Sequence, residues 1–210
     1  MPLALIASVV AVAEMAGTRQ TRACLAPTIT SMKRRTLLQT PLIAAASAAV
    51  VSSLPGLARA DEPRIDSLPA AQRWLDRLLS AREARATGAW PLPAVLEHLA
   101  QSIEMSLDGF PQPRSAAFQQ TLGAAAFAVF SWRGRMSHGL AEPIPGAPAL
   151  RIDATLPDAA ARLREAIERF ERHQGPLALH FAYGALDKAR FAQAHCLHIA
   201  NHQDEIVLRA

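Results

Sequence analysis

Cysteine is nearly absent: the 210-residue chain has two, Cys24 and Cys196, too few for a disulfide-stapled scaffold. Glycine is sparse as well, at 10 residues, which excludes a collagenous chain. With half of the residues apolar, the chain is not a disordered one. There is no glycine-rich phosphate loop, no nucleophile elbow, no C-x-x-C pair and no internal repeat. Nor does period-two alternation run long enough to require a sheet; only Ile206-Val207-Leu208 is ambiguous. The length suits one domain with a sizeable core.

The formal net charge of +4 is unevenly placed. Residues 1–60 hold six cations (Arg19, Arg22, Lys33, Arg34, Arg35, Arg59) against Glu14 alone. Of the 22 Lys+Arg and 18 Asp+Glu in the chain, 16 and 17 therefore remain for residues 61–210, a net of −1. A domain so close to neutral has no electrostatic footprint for nucleic acid.

The basic segment reads as a leader. From Met32 the chain runs Met-Lys-Arg-Arg-Thr-Leu-Leu-Gln, then an apolar stretch from Pro41 to Leu57, then Ala58-Arg59-Ala60. A basic start, a short apolar run and an A-x-A site describe a secretory signal peptide over 32–60. Arg34-Arg35-Thr36-Leu37-Leu38 resembles the twin-arginine motif, which makes the twin-arginine export machinery the expected partner. A periplasmic or secreted domain over 61–210 follows. Pro41, Pro55, Gly56 and three serines make the segment a poor membrane span, and none is expected after cleavage. Residues 1–31 are read as a start-site extension, with translation beginning at Met32. Cys24 falls in the leader, leaving Cys196 without an internal partner.

Residues 61–210 are helical in pattern. Leu68, Ala71, Leu75, Leu78 and Leu79 follow a 3–4 spacing behind Ser67, an N-cap candidate with proline just inside. Leu92, Leu96, Leu99, Ile103 and Leu107 mark a second helix, stopped by Asp108-Gly109-Phe110-Pro111. A third, over about 115–135, carries Phe118, Leu122, Ala126 and Phe130 as its stripe. Pro143, Pro145 and Pro148 make the next stretch a loop. Thr155-Leu156-Pro157-Asp158 opens a fourth helix, with Leu156, Ala160, Leu163, Ile167 and Phe170 on one side. Gly175-Pro176 ends it. A connector, Leu177 to Leu186, leads to a last helix opened by Asp187 and reaching about Glu205. The expected fold is an all-α bundle of four helices with an additional short helix or long connector. Trp74, Trp90, Trp132 and Phe127 are read as core or interhelix packing.

The last helix is the informative one. Steps of 4, 3, 4 and 3 place Phe191, His195, His198, His202 and Glu205 along one stripe. Filling a core-facing stripe with imidazoles wastes apolar burial unless something compensates them. His198 and His202, at i and i+4, are spaced to put two nitrogens on a single ion. The same residues equally suit a polar face in water, or core histidines bonded to backbone carbonyls. Ile199 stands where H-E-x-x-H requires glutamate, so a zincin protease is not indicated. His98, at the edge of the second helix's apolar face, is the candidate third ligand; alone it reads as a half-buried helix histidine.

Glu97-His98-Leu99-Ala100-Gln101-Ser102-Ile103-Glu104, followed by Ser106-Leu107-Asp108-Gly109-Phe110-Pro111, resembles the first motif of the family called domain of unknown function 1569. His180-Phe181-Ala182-Tyr183-Gly184-Ala185-Leu186, with His198-Ile-Ala-Asn-His202, resembles its second. The resemblance spans about 67–203 and implies membership in the DinB-like superfamily of four-helix bundles. It further implies a divalent metal held by His98, His198 and His202. The chain departs from the family pattern at Phe181, where proline is usual, leaving His180 without an assigned role. His195 reads equally as a donor to the ligands, an extra ligand or a core histidine. His138 is expected to end the third helix at the surface, and His173 to sit at a helix C-terminus facing the dipole.

Three neutral imidazoles leave coordination positions for water or a small-molecule substrate, as in a catalytic site. Zn, Ni, Mn, Co and Fe all accept imidazole. DinB-like relatives include thiol transferases, isomerases and amide hydrolases, so the resemblance implies a metal-dependent hydrolase or transferase of unassigned substrate. Export argues against a cytosolic thiol cofactor. The alternative is a non-catalytic periplasmic metal-binding or interaction module. No general base stands out: Glu97 points about 100° from His98 on an ideal helix, and Glu104 is a weak candidate. The sequence is compatible with an oligomer.

Overall fold

A computed structural model describes residues 62–209. The leader over 1–60 and Cys24 lie outside the described residues. Those residues form five helices and a single two-stranded sheet. Helix α1 is Leu68–Ser80, strand β1 Glu83–Ala86 and helix α2 Leu92–Asp108. Helix α3 runs as Ala116–Phe118, a π-helical turn Gln119–Gly123, and Ala124–Arg133. Helix α4 is Leu156–Arg172, α5 is Lys188–Gln203, and strand β2 is Ile206–Arg209. Among the described residues no helix is long and apolar enough to cross a membrane.

The helix starts are set locally. Ser67 accepts from the Ala70 amide, Thr155 from Asp158 and Asp187 from Arg190, each cap contributing about 1 kcal/mol. Four helices then share one core: α2 lies along α4, and α1 and α5 complete the ring. Trp74 and Leu75 of α1, Leu96 and Leu99 of α2, Leu163 and Phe170 of α4, and Phe191 and Ile199 of α5 fill it. The α2 helix is the central one. It buries polar Glu97, His98, Gln101, Ser102 and Ser106 together with its apolar residues, so its polar groups need partners inside the molecule.

Helix α3 is the additional helix, and it departs from expectation. The π turn inserts a residue into the register, and the expected stripe is only partly inward: Phe118, Ala126 and Phe130 are half-buried, and Leu122 is not. Phe127 is the buried apolar residue, Leu122 is half exposed, and Trp132 is 82% exposed rather than packed. The turn serves docking. Gly123 lies so close to the connector that a Cβ would collide with the Ala182 carbonyl, while Gln119 Nε2 donates to the carbonyls of His180 and Phe181.

The sheet corrects the helix-only reading. Strand β1 pairs antiparallel with β2, Glu83 opposite Arg209 and Ala86 opposite Ile206. Glu-Ala-Arg-Ala has no strand propensity of its own. It is recruited by the β-branched pair Ile206-Val207 from 120 residues away, a long-range pairing that local pattern does not reveal.

Candidate metal centre

Helices α2 and α5 bring His98, His198 and His202 to one point. One nitrogen from each lies within 4.8 Å of the other two. His98 Nε2 and His198 Nε2 are 3.2 Å apart. Two imidazole nitrogens bound tetrahedrally at about 2.0–2.1 Å from one ion would be about 3.3 Å apart, so this pair already has ligand spacing. His202 Nε2 is buried without a hydrogen-bond partner, an arrangement that is costly unless something else satisfies it. The donor set therefore fits a divalent cation: three nitrogen bases, no fixed charge, and an orphaned lone pair directed among them.

Of the other ring nitrogens, His98 Nδ1 is buried without a partner and those of His198 and His202 are engaged. His202 Nδ1 lies 2.7 Å from Glu205 Oε1. With Glu205 ionised and so an acceptor only, Nδ1 carries the proton and Nε2 keeps its lone pair. His198 Nδ1 is 3.2 Å from Ser102 Oγ on α2. Glu205 is itself held in place: Thr87, just beyond β1, donates its amide (2.8 Å) and its hydroxyl (2.9 Å) to the Glu205 carbonyl. Gly88 leaves the room that the Glu205 carboxylate fills. The small sheet is thus what fixes Glu205 behind His202. A carboxylate set behind a ligating imidazole orients it and raises its basicity.

Burial keeps these imidazoles neutral, the form that ligates. It lowers His98 to about 4 and His202 to about 3, with neighbouring histidines adding to the effect. His198 is pushed well below its ordinary value, first by burial and then by the rings around it. Burial instead raises the pKa of Glu205 from its ordinary value.

The remaining histidines sort differently. His195 is a core residue: its Nε2 is 3.2 Å from Ser106 Oγ and its ring meets Phe170 edge-on. Burial holds it near 3. His180 is structural too. Its Nδ1 accepts the amides of Ala182 and Tyr183 at 3.1 Å, and its ring stacks on Tyr183 at 4.2 Å. It pairs with Gly184, whose φ of +74° favours glycine. His173, at the end of α4 as expected, is 3.1 Å from the Pro176 carbonyl.

His138 is the residue that sequence reasoning placed wrongly. It is not a bare surface residue past α3, for its ring centre is 5.0 Å from that of His198 and 5.5 Å from that of His202. Burial lowers its pKa, partly offset by a hydrogen bond to the Gly139 carbonyl. No spacing in the sequence could have linked it to α5.

Glu97, adjacent to His98, faces the other way. Its carboxylate is fully buried, receives Arg151 Nη2 at 2.6 Å and Arg151 Nε at 3.0 Å, and is paired with Arg162. Burial alone would raise its pKa, but hydrogen bonds and charge from Arg151 and Arg162 bring it below the ordinary value. Glu104 shares Arg162. Both candidate bases are thus committed to ion pairs.

The model of one family, described as Protein of unknown function (DUF1569), matches residues 58–209. No curated protein and no solved structure matches the chain.

Proposed function

The chain belongs to the DUF1569 family, and we propose that it is an exported, DinB-like protein that holds one divalent metal ion on His98, His198 and His202. The observation that carries this reading is the convergence of three neutral imidazoles, with two Nε2 atoms at ligand spacing and the third buried without a partner. The Glu205 carboxylate behind His202 supports it further. Such an ion would supply Lewis acidity, lowering the pKa of a bound water or thiol toward neutrality.

His98 and His202 are buried and His198 is half-buried, with the His138 ring against it. Three protein ligands leave a coordination position for a small-molecule substrate, in a hydrolase or transferase reaction. The leader with Arg34-Arg35 supports twin-arginine export and a periplasmic location, and that route carries already folded proteins that have acquired their metal.

The test is elemental mass spectrometry on the purified full chain beside His198→Ala. The reading expects close to one divalent ion per chain, lost in the variant while circular dichroism shows the helices intact. An ion whose removal unfolds the domain would make the site structural. No metal in the wild-type protein, even after incubation with divalent salts, would refute the reading.

A further inference from the structure

We propose that His138 is a fourth ligand of this site, carried by the loop over 134–155 and closing the coordination shell when no substrate is bound. The inference rests on the three-histidine reading above and adds to it a residue from outside the two ligand helices.

Four observations carry it. The first is place. Imidazoles bound at about 2.0–2.1 Å from a tetrahedral ion have ring centres about 5 Å apart. The three pairs among His98, His198 and His202 stand at 5.0, 5.2 and 5.1 Å, and His138 stands 5.0 Å from His198 and 5.5 Å from His202.

The second is tautomer. His138 Nδ1 is 2.8 Å from the Gly139 carbonyl. A carbonyl only accepts, so Nδ1 carries the proton and Nε2 keeps the ligating lone pair. Ligating histidines are commonly held by a backbone carbonyl in this way.

The third is attachment. The loop is pinned to the bundle on both sides of His138. Arg135 bonds Asp204 at 2.9 Å, Met136 is buried, Gln101 Nε2 donates to the Pro148 carbonyl at 3.0 Å, and Arg151 grips Glu97 beside His98. A loop of this length without secondary structure in a compact domain is commonly a lid or binding loop.

The fourth is direction. His198 and His138 are half-buried, whereas His98 and His202 are buried, so the loop lies on the less buried side of the cluster. His138 is not one of the three residues whose nitrogens lie within 4.8 Å of one another. Ligation therefore requires the loop to bring His138 Nε2 closer to the other three nitrogens. The same movement in reverse would free a position for an incoming substrate.

Cobalt(II) titration of the full chain tests this, because the visible bands of cobalt report donor number and type. Wild type, His138→Ala, His138→Gln and His198→Ala are compared, with circular dichroism verifying the fold. The expected result is an intense tetrahedral spectrum in wild type. Both His138 variants should shift those bands and bind about tenfold or more weakly, and added imidazole should restore the wild-type bands in His138→Ala. His198→Ala should lose binding. If the His138 variants keep the wild-type bands and affinity while His198→Ala loses them, His138 is not a ligand and the three-histidine site stands without it. If wild type binds no cobalt, the three-histidine reading fails and this inference with it.

Discussion

Removing the Glu97 carboxylate should destabilise the domain by an amount set by where its partners go. The carboxylate is 0% exposed and takes both Arg151 and Arg162. A stranded buried ion would cost about 3–5 kcal/mol, but neither arginine is stranded in Glu97→Ala. Arg151 is 56% exposed and returns to water, and Arg162 keeps Glu104 at 2.6 Å. The loss is then close to that of one set of charge-assisted hydrogen bonds with its small cavity, about 2–3 kcal/mol. For a domain of this size that corresponds to a fall in Tm of about 5–10 °C. The effect should also depend on pH. The folded pKa of Glu97 lies below its unfolded value of 4.5. Its contribution is therefore fully present above about 4.5 and is lost as pH falls through the folded pKa. Thermal denaturation of wild type and Glu97→Ala, followed by circular dichroism from pH 7 to pH 3, measures both. A difference below 1 °C at pH 7 (about 0.3 kcal/mol), or a gap that widens in acid, would refute the reasoning.

Other consequences follow from the same contacts. Glu205→Gln keeps the shape behind His202 but removes the charge, and should weaken metal affinity about 10- to 100-fold in chelator competition; an unchanged affinity would remove Glu205 from the site. Gly123→Ala would gain about 1 kcal/mol of helix propensity but places a methyl on the Ala182 carbonyl. Over-packing costs about 1–3 kcal/mol, and backbone cannot swing aside as a side chain can. Denaturant unfolding should show net destabilisation, and a more stable variant would contradict the close docking of α3. In metal-free protein, His195 has a folded pKa near 3 against an ordinary 6.5. The unfolded chain therefore takes up the proton first, and stability falls as pH drops from about 6.5 toward 3. His195→Leu should reduce that slope by about 1.4 kcal/mol per pH unit, and an unchanged slope would place His195 in a wetter environment.

The legible part of this protein is what short-range pattern encodes. Ser67, Thr155 and Asp187 marked three helix starts because an N-cap is a local device, and the 3–4 spacing in α1, α2 and α4 reflects a core on one side. His198 and His202 stood out because helical spacing alone puts i and i+4 together. Illegible features required non-local information. The π turn in α3 sets Gly123 against the Ala182 carbonyl, a contact from a distant segment, and it interrupts the stripe at Leu122. Strand β1 exists only because β2 returns to it. His138 reaches His198 through a proline-rich loop whose course is set by Gln101 and Glu97. Glu205 was visible at the end of the histidine stripe, just past α5, but its task behind His202 depends on Thr87 and Gly88.

Anomalous diffraction from crystals of the full chain, collected at the absorption edge of the metal it carries, tests the central claim most directly. The account predicts a single strong peak about 2.0–2.3 Å from the Nε2 atoms of His98, His198 and His202. A peak elsewhere in the molecule, or these three imidazoles ordered around a site with no anomalous density in metal-supplemented crystals, would contradict it.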